Sequence, residues 1–193
     1  VCSRSTTLSD EELSTKMGFN VAFPEKVYGE YNLDSKADAV GINKKVNEEI
    51  SEQLEPDMFK AIDDETIFNS LSQYNAYRNI FAVYTKEDNT IFISVYSLNA
   101  PTLEEFENRS TVAETSVIGV KALWVEVVSP NYKHINDNGV GKADLHTRPY
   151  GISTNHILTW DYNGVRYDIS TYQDFELTME ETVKIAEAFM AAQ

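Results

Sequence analysis

The chain has 193 residues, 42% of them hydrophobic and 11% aromatic, which is enough to build the buried core of a single domain. Its 16 basic and 31 acidic residues leave a formal net charge of −15. Residues 1–79 carry 8 basic and 15 acidic groups (−7) and residues 80–193 carry 8 and 16 (−8), so the acidity reads as a solvated, repulsive surface. That surface argues against nucleic-acid binding, which rests on Lys and Arg neutralising phosphates, and against adsorption of the folded body on anionic lipid.

Cys2 is the one cysteine, which leaves no internal disulfide and no cysteine-based metal site. No window approaches the roughly 18 apolar residues of a membrane span; the best candidate, 117–128, is interrupted by Lys121 and Glu126. The chain opens at Val1, and no signal peptide is visible.

In chain order, Ser9-Asp10-Glu11-Glu12 matches a capping box that starts a short helix, with Leu13 and Met17 as its apolar edge and Gly18 as its stop. Residues 19–23 place Phe, Val and Phe on one side ahead of Pro24, and predict a short or edge strand. A second strand is expected within 27–33, and 40–42 extends the same sheet. From 43 to 79 the pattern is helical: Val46, Ile50 and Leu54 recur at four-residue spacing until Pro56 breaks the run. A further helical patch over 63–74 carries Ile67, Phe68 and Leu71. Residues 80–84 and 91–96 form a hairpin about Lys-Glu-Asp-Asn. Residues 101–107 resemble a first helical turn with Pro early, and 117–128 predicts one long strand. Residues 131–155 lack periodicity and read as a long loop of the kind that is functional or mobile.

The most legible stretch is 157–170. Asn163-Gly164 is a strong two-residue hairpin signal and pairs Tyr162 with Val165, Trp160 with Tyr167 and Leu158 with Ile169 on one apolar face. The opposite face, Thr159, Asp161, Arg166, Asp168 and Ser170, reads as wet, with Asp161 and Arg166 as an ion pair. A closing helix over Met179–Met190 is started by a second capping box, Thr178 with Glu181, and turns Met179, Val183, Ala186, Phe189 and Met190 inward.

No motif for chemistry survives inspection. His134, His146 and His156 show no metal-ligand spacing, and surface histidines are the simpler reading. Two stretches with a calcium-loop rhythm, at 134–145 and 159–170, place Leu145 and Ser170 where a bidentate carboxylate is needed. No Gly-x-Ser-x-Gly elbow and no phosphate-cradling glycine loop is present. Asp63-Asp64 and Glu104-Glu105 sit where helix starts favour acid, and Asn108-Arg109-Ser110 is a formal glycosylation acceptor. Tyr74, Tyr77, Tyr132, Tyr150 and Tyr172 fall outside clear core patterns and leave room for a partner groove.

Trp160, Gly164 and Tyr167 followed by Ile185-Ala186-Glu187 carry a resemblance. This tail resembles that of a bacterial domain-of-unknown-function family found in the outward-facing part of Gram-positive lipoproteins and membrane-anchored proteins, which ends in a Trp-x-x-x-Gly-x-x-Tyr hairpin and an Ile-Ala-Glu-Ser-like helix. Residues 18–24, Gly-Phe-x-Val-x-x-Pro, also look like that family's opening strand. The resemblance implies an extracytoplasmic protein tethered at its N-terminus and transfers no active-site residues. Cys2, followed by Ser3, would then be a lipidated cysteine or an ordinary cysteine near a sequence boundary.

The expectation is one α+β domain over 1–193: a twisted, mostly antiparallel sheet with the C-terminal helix packed on one face, a few peripheral helices and a helical insert around 43–79. The expected function is a non-enzymatic binding or sensing module of the bacterial cell envelope, with no cofactor and no metal. Its partner is an unidentified protein or small ligand at the cell surface, without nucleic acid, and it meets membrane only through the tether. Two alternatives stay open. One is a carrier of a lipid or peptide, which needs an apolar cavity beneath the C-terminal helix. The other is an enzyme whose site in the 131–155 loop uses Asp144, His146 and Arg148.

Overall fold

The computed structural model describes residues 1–97, 100, 103, 112–131, 134–137, 140–143, 147–171 and 177–193. The chain opens with strand β1 (Cys2–Thr6) and helix α1 (Asp10–Met17). Both halves of the Ser9/Glu12 capping box are formed, and Gly18, at φ 78°, ends the helix in the left-handed conformation. Residues 19–23 are not a strand, although Val21 and Phe23 are buried as the alternation requires. Their backbone donors go to side chains instead: Val21 N–H to Ser14 Oγ (2.9 Å), Ala22 N–H to Gln193 Oε1 (3.0 Å) and Phe23 N–H to Asp10 Oδ2 (2.8 Å).

The expected second strand is a hairpin, β2 (Lys26–Val27) and β3 (Tyr31–Ile42), turned where Gly29 and Glu30 take positive φ. Residues 40–42 are the far end of β3. Helices α2 (Glu48–Ala61) and α3 (Glu65–Ser70) follow, capped by Asn47 and Asp64, and a 3-10 turn (Leu71–Tyr74) closes the helical stretch ahead of residue 76. Pro56 lies inside α2 and does not end it. The carbonyl its ring leaves without a donor belongs to exposed Glu52, within reach of water, while Met58 and Ala61 anchor the following turn.

The rest is mostly sheet. β4 (Ala76–Lys86) and β5 (Asn89–Tyr96) form the expected hairpin about Glu87-Asp88. The single strand predicted over 117–128 is the turn and return arm of another hairpin, β6 (Val112–Val117) with β7 (Val120–Asn131), reversed at Ile118-Gly119. The stretch read as a loop begins with the end of β7, holds the small hairpin β8 (His134–Asp137) and β9 (Val140–Ala143), and runs into β10 (Gly151–Tyr162). β11 (Val165–Thr171) and helix α4 (Met179–Met190) complete the chain, and the Tyr162/Val165, Trp160/Tyr167 and Leu158/Ile169 pairings are as predicted. Residues 101–107, apart from Leu103, lie outside the described residues, as do Glu104-Glu105 and Asn108-Arg109-Ser110.

Among the described residues one antiparallel sheet runs β1-β3-β4-β5-β11-β10-β7-β6, with β2 beside β3; β8 and β9 pair separately. The architecture is α+β, with α4 on one face of the sheet. That face carries Ile80, Tyr84, Ile93, Leu158, Trp160, Tyr167 and Ile169, packed under Leu13 and Met17 of α1 and Ile185, Ala186 and Phe189 of α4. Trp160 stacks on Tyr167 with centroids 5.4 Å apart, and Phe189 meets Tyr167 edge-on at 6.3 Å and Phe23 at 5.8 Å. The inward side of α4 also includes Thr182 and Ile185, while Met179 and Val183 are half-buried. A second apolar cluster seats α2 on β1, β3 and β4 through Cys2, Val40, Met58, Ala61, Ile62, Leu71 and Ala76. Beside it Arg78 donates to the Ala61 and Ile62 carbonyls (3.3 Å each), completing the end of α2, and pairs with Glu65 at 2.7 Å.

Candidate functional site

The opposite face of the hairpin, predicted to be wet, is buried at Thr159, Arg166 and Asp168, while Asp161 is exposed and Ser170 half-buried. Thr159 is 0%, Arg166 6% and Asp168 9% exposed, although the Asp161–Arg166 pair forms as expected, with Nε to Oδ1 at 2.5 Å and Nη2 to Oδ2 at 3.0 Å. The alternation was read correctly and its consequence was not. The hairpin lies inside the sheet, between β5 and β7, so these side chains have neighbouring strands on both sides.

Register builds the site. Asp168 on β11 stands opposite Thr159 on β10 and Ser94 on β5; one step along, Arg166 stands opposite Asp161 and Tyr96, and Tyr96 opposite Asn79 on β4. The Tyr77 ring, 6.0 Å from that of Tyr96, ends the row over β3, where Gly41 leaves it room. Burial, before any other cause, pushes the Asp168 carboxyl above its ordinary range; the Thr159 hydroxyl, the Arg166 charge and the Tyr96 hydroxyl pull the other way without overcoming it. Among the described residues neither Thr159 Oγ1 nor Asp168 Oδ1 has an aligned hydrogen-bond partner, so the Thr159 contact is electrostatic and not a closed bond. Asn79 Oδ1 is a third buried acceptor in this state. Burial and then Asp168 raise the phenol pKa of both Tyr77 and Tyr96.

Chemically this row is a set of hydroxyl, amide and guanidinium groups around a buried carboxyl that leans toward its neutral form, with the guanidinium already engaged by Asp161. Among the described residues no group of three or more His, Cys, Asp and Glu is placed to hold a metal. Comparison with protein-family models, curated proteins and solved structures finds no match.

Asp144 and His146 lie outside the described residues, and Arg148 is exposed, two residues before Tyr150. Cys2 is buried within β1, its thiol 3.7 Å from the Glu55 carbonyl and its pKa raised by burial. Alkylation of that sulfur requires the α2 packing to open. His156 stacks on Trp124 at 5.0 Å, beside a crevice lined by Ile169, Leu177 and Thr182 that has no room for a water molecule. Beneath α4, among the described residues, Trp160, Phe189 and Ile185 fill the space that a carried lipid would need. Of the tyrosines set aside for a groove, Tyr77 is buried in the polar row, Tyr74 sits under Lys44 and Tyr150 is exposed, so these three share no surface; Tyr132 and Tyr172 lie outside the described residues. Sequence reasoning missed Asn79 and Tyr96 and set Tyr77 aside for a groove instead of this row. The signal that could have found them is the alternation of β5, with Ser94 and Tyr96 opposite Ile91, Ile93 and Val95, and Tyr77 and Asn79 in step with it on β4.

Proposed function

We propose that the protein is a non-enzymatic binding or sensing module of a bacterial cell envelope, held outside the cytoplasm by a tether that precedes or includes its first residues. The observation that supports it is the packing of the tail. Trp160, Tyr167, Ile185 and Ala186, the residues of the resemblance to Gram-positive envelope domains, belong to one apolar core, with the Asn163-Gly164 turn holding the hairpin in register. Such residues specify a scaffold, and binding on a scaffold of this kind is carried by its surfaces and its polar row.

The test is protease accessibility on intact cells of a Gram-positive host producing the full-length gene product, with a cytosolic marker as control. Cleavage of this domain while the marker survives is the expected result. Protection equal to that of the marker overturns the proposed location. Turnover in a hydrolase and transferase screen that a single substitution abolishes overturns the non-enzymatic reading.

A further inference from the structure

The helical insert between β3 and β4 leaves the sheet and returns to it at one point. Ile42 and Ala76 are the last pair of the two strands. Just past them, Asn43 and Lys44 donate their backbone N–H groups to the carbonyls of Asn75 (3.2 Å) and Tyr74 (3.1 Å). Residues 45–73 are thus closed off by a neck, and the β3–β4 ladder does not depend on where they lie.

Their packing is separate too. Met58, Ala61, Ile62 and Leu71 pack with Cys2, Val40 and Ala76, in a cluster distinct from the core under α1 and α4. Of the α2 side chains described, only Met58 and Ala61 are buried, both in its last turn. A segment with few buried apolar side chains of its own opens at less cost than the whole molecule.

Charge at long range works against closure, and charge at close range secures it. Residues 45–73 hold 2 basic and 8 acidic residues (−6), and the remainder of the chain holds 14 and 23 (−9). Among the described residues, cations from three other elements meet the insert at one corner, where α2 ends and α3 begins. Arg4 of β1 bonds both carboxylate oxygens of Asp63 (2.7 and 2.6 Å), and Lys16 of α1, itself paired with buried Asp38, lies 3.8 Å from Asp63. Arg78 of β4 holds the Ala61 and Ile62 carbonyls and Glu65, with the Phe68 ring 4.1 Å away. At the other end of α2, Glu49 and Glu52 are exposed.

We propose that residues 45–73 form a lid that lifts from the sheet as one body about the 43–44/74–75 neck, clasped shut at Asp63 and Arg78. Its opening bares the Cys2 thiol and the apolar floor of Val40 and Ala76 while the sheet stays folded. The lid thereby gates the chemistry of the one thiol in the chain, and a reagent that reaches Cys2 reports the lid and not global unfolding.

The experiment is the rate of Cys2 alkylation by iodoacetamide in the full chain without denaturant, read by mass spectrometry, beside global unfolding followed by tryptophan fluorescence. Alkylation is expected to run at least about tenfold faster than the globally unfolded fraction allows. Asp63→Asn, an exposed position, raises it about threefold. Ile185→Val lowers the global midpoint but leaves the alkylation rate unchanged, because the open state keeps the core under α4. Fraying of β1 also bares Cys2, so a second thiol separates the two motions. Ala76→Cys in a Cys2→Ser background lies two strands in from β1, beneath the same insert, and is expected to react within about threefold of the Cys2 rate. Should that variant not fold, Ile42→Cys takes its place. Alkylation no faster than global unfolding, a rate that rises with Ile185→Val, or indifference to Asp63→Asn overturns the proposal. So does protection of the inner thiol under conditions where Cys2 reacts.

Discussion

Gly41 has no side chain because Tyr77 occupies the place of one. A Cβ built there would lie 2.3 Å from Tyr77 Cζ and 2.5 Å from its hydroxyl oxygen. Gly41→Ala is therefore expected to displace the Tyr77 ring and to destabilise the protein by about 1–3 kcal/mol in chemical denaturation, with most of the loss recovered in the double variant Gly41→Ala/Tyr77→Val. Asp168 makes a prediction of the opposite sign. Its pKa is raised in the folded state, so the folded protein binds a proton more readily than the unfolded chain, and stability falls as pH rises from the ordinary carboxylate range through the raised value. Asp168→Asn removes this dependence. The variant is expected to be more stable than wild type at neutral pH and to lose that advantage near pH ~4, where unfolded-state Asp also becomes protonated. Unfolding midpoints measured across that range check it. A wild-type advantage that grows with pH would mean that the Arg166 charge, and not burial, governs the carboxyl.

At the scale of elements, the turns separate what could be read from what could not. Asn163-Gly164 announces itself because both residues enter the left-handed region cheaply, at φ 52° and 79°. Ile118-Gly119 makes the same kind of turn at φ 46° and 82°, but a β-branched residue at a left-handed position is a poor signal, and the strand was read straight through it. The structure gives Ile118 little reason to be Ile, since it is 43% exposed. Ile118→Asn is expected to stabilise the protein by about 1 kcal/mol, a rise of about 2–4 °C in the unfolding midpoint by calorimetry. Two helices were legible from their caps, Ser9 and Thr178, which act locally, and α3 from the acidic pair Asp63-Asp64 at its start. Segment 19–23 was not, because side chains of Asp10 and Ser14 on α1 and of Gln193 take the place of a neighbouring strand, and no alternation within the segment encodes such partners.

For the molecule as a whole, the alternation of β10 and β11 gave both faces of the hairpin, but burial of the polar one depends on β4, β5 and β7 lying alongside, a fact about sheet order. Hence the Asp161–Arg166 pair was readable and the row that extends it to Tyr96, Asn79 and Tyr77 was not. The net charge of −15 acts at this scale as well, by self-repulsion that favours expansion of the chain. Raising NaCl from about 10 to about 150 mM is expected to raise the unfolding midpoint by a few degrees as that repulsion is screened. A fall would mean that attractive pairs such as Arg4–Asp63, 2.6 Å apart at the surface, outweigh it.

The position of β11 has a further consequence. Synthesis delivers β3, β4 and β5 early and β6, β7 and β10 later, yet the two groups join through a strand that comes after all of them. A nascent chain halted short of Val165 holds two partial sheets, each with an open edge, β5 on one and β10 on the other. Closure of the sheet thus waits until β11 has been made. Up to then both edges stay open to other strands, and arrival of β11 ends that interval.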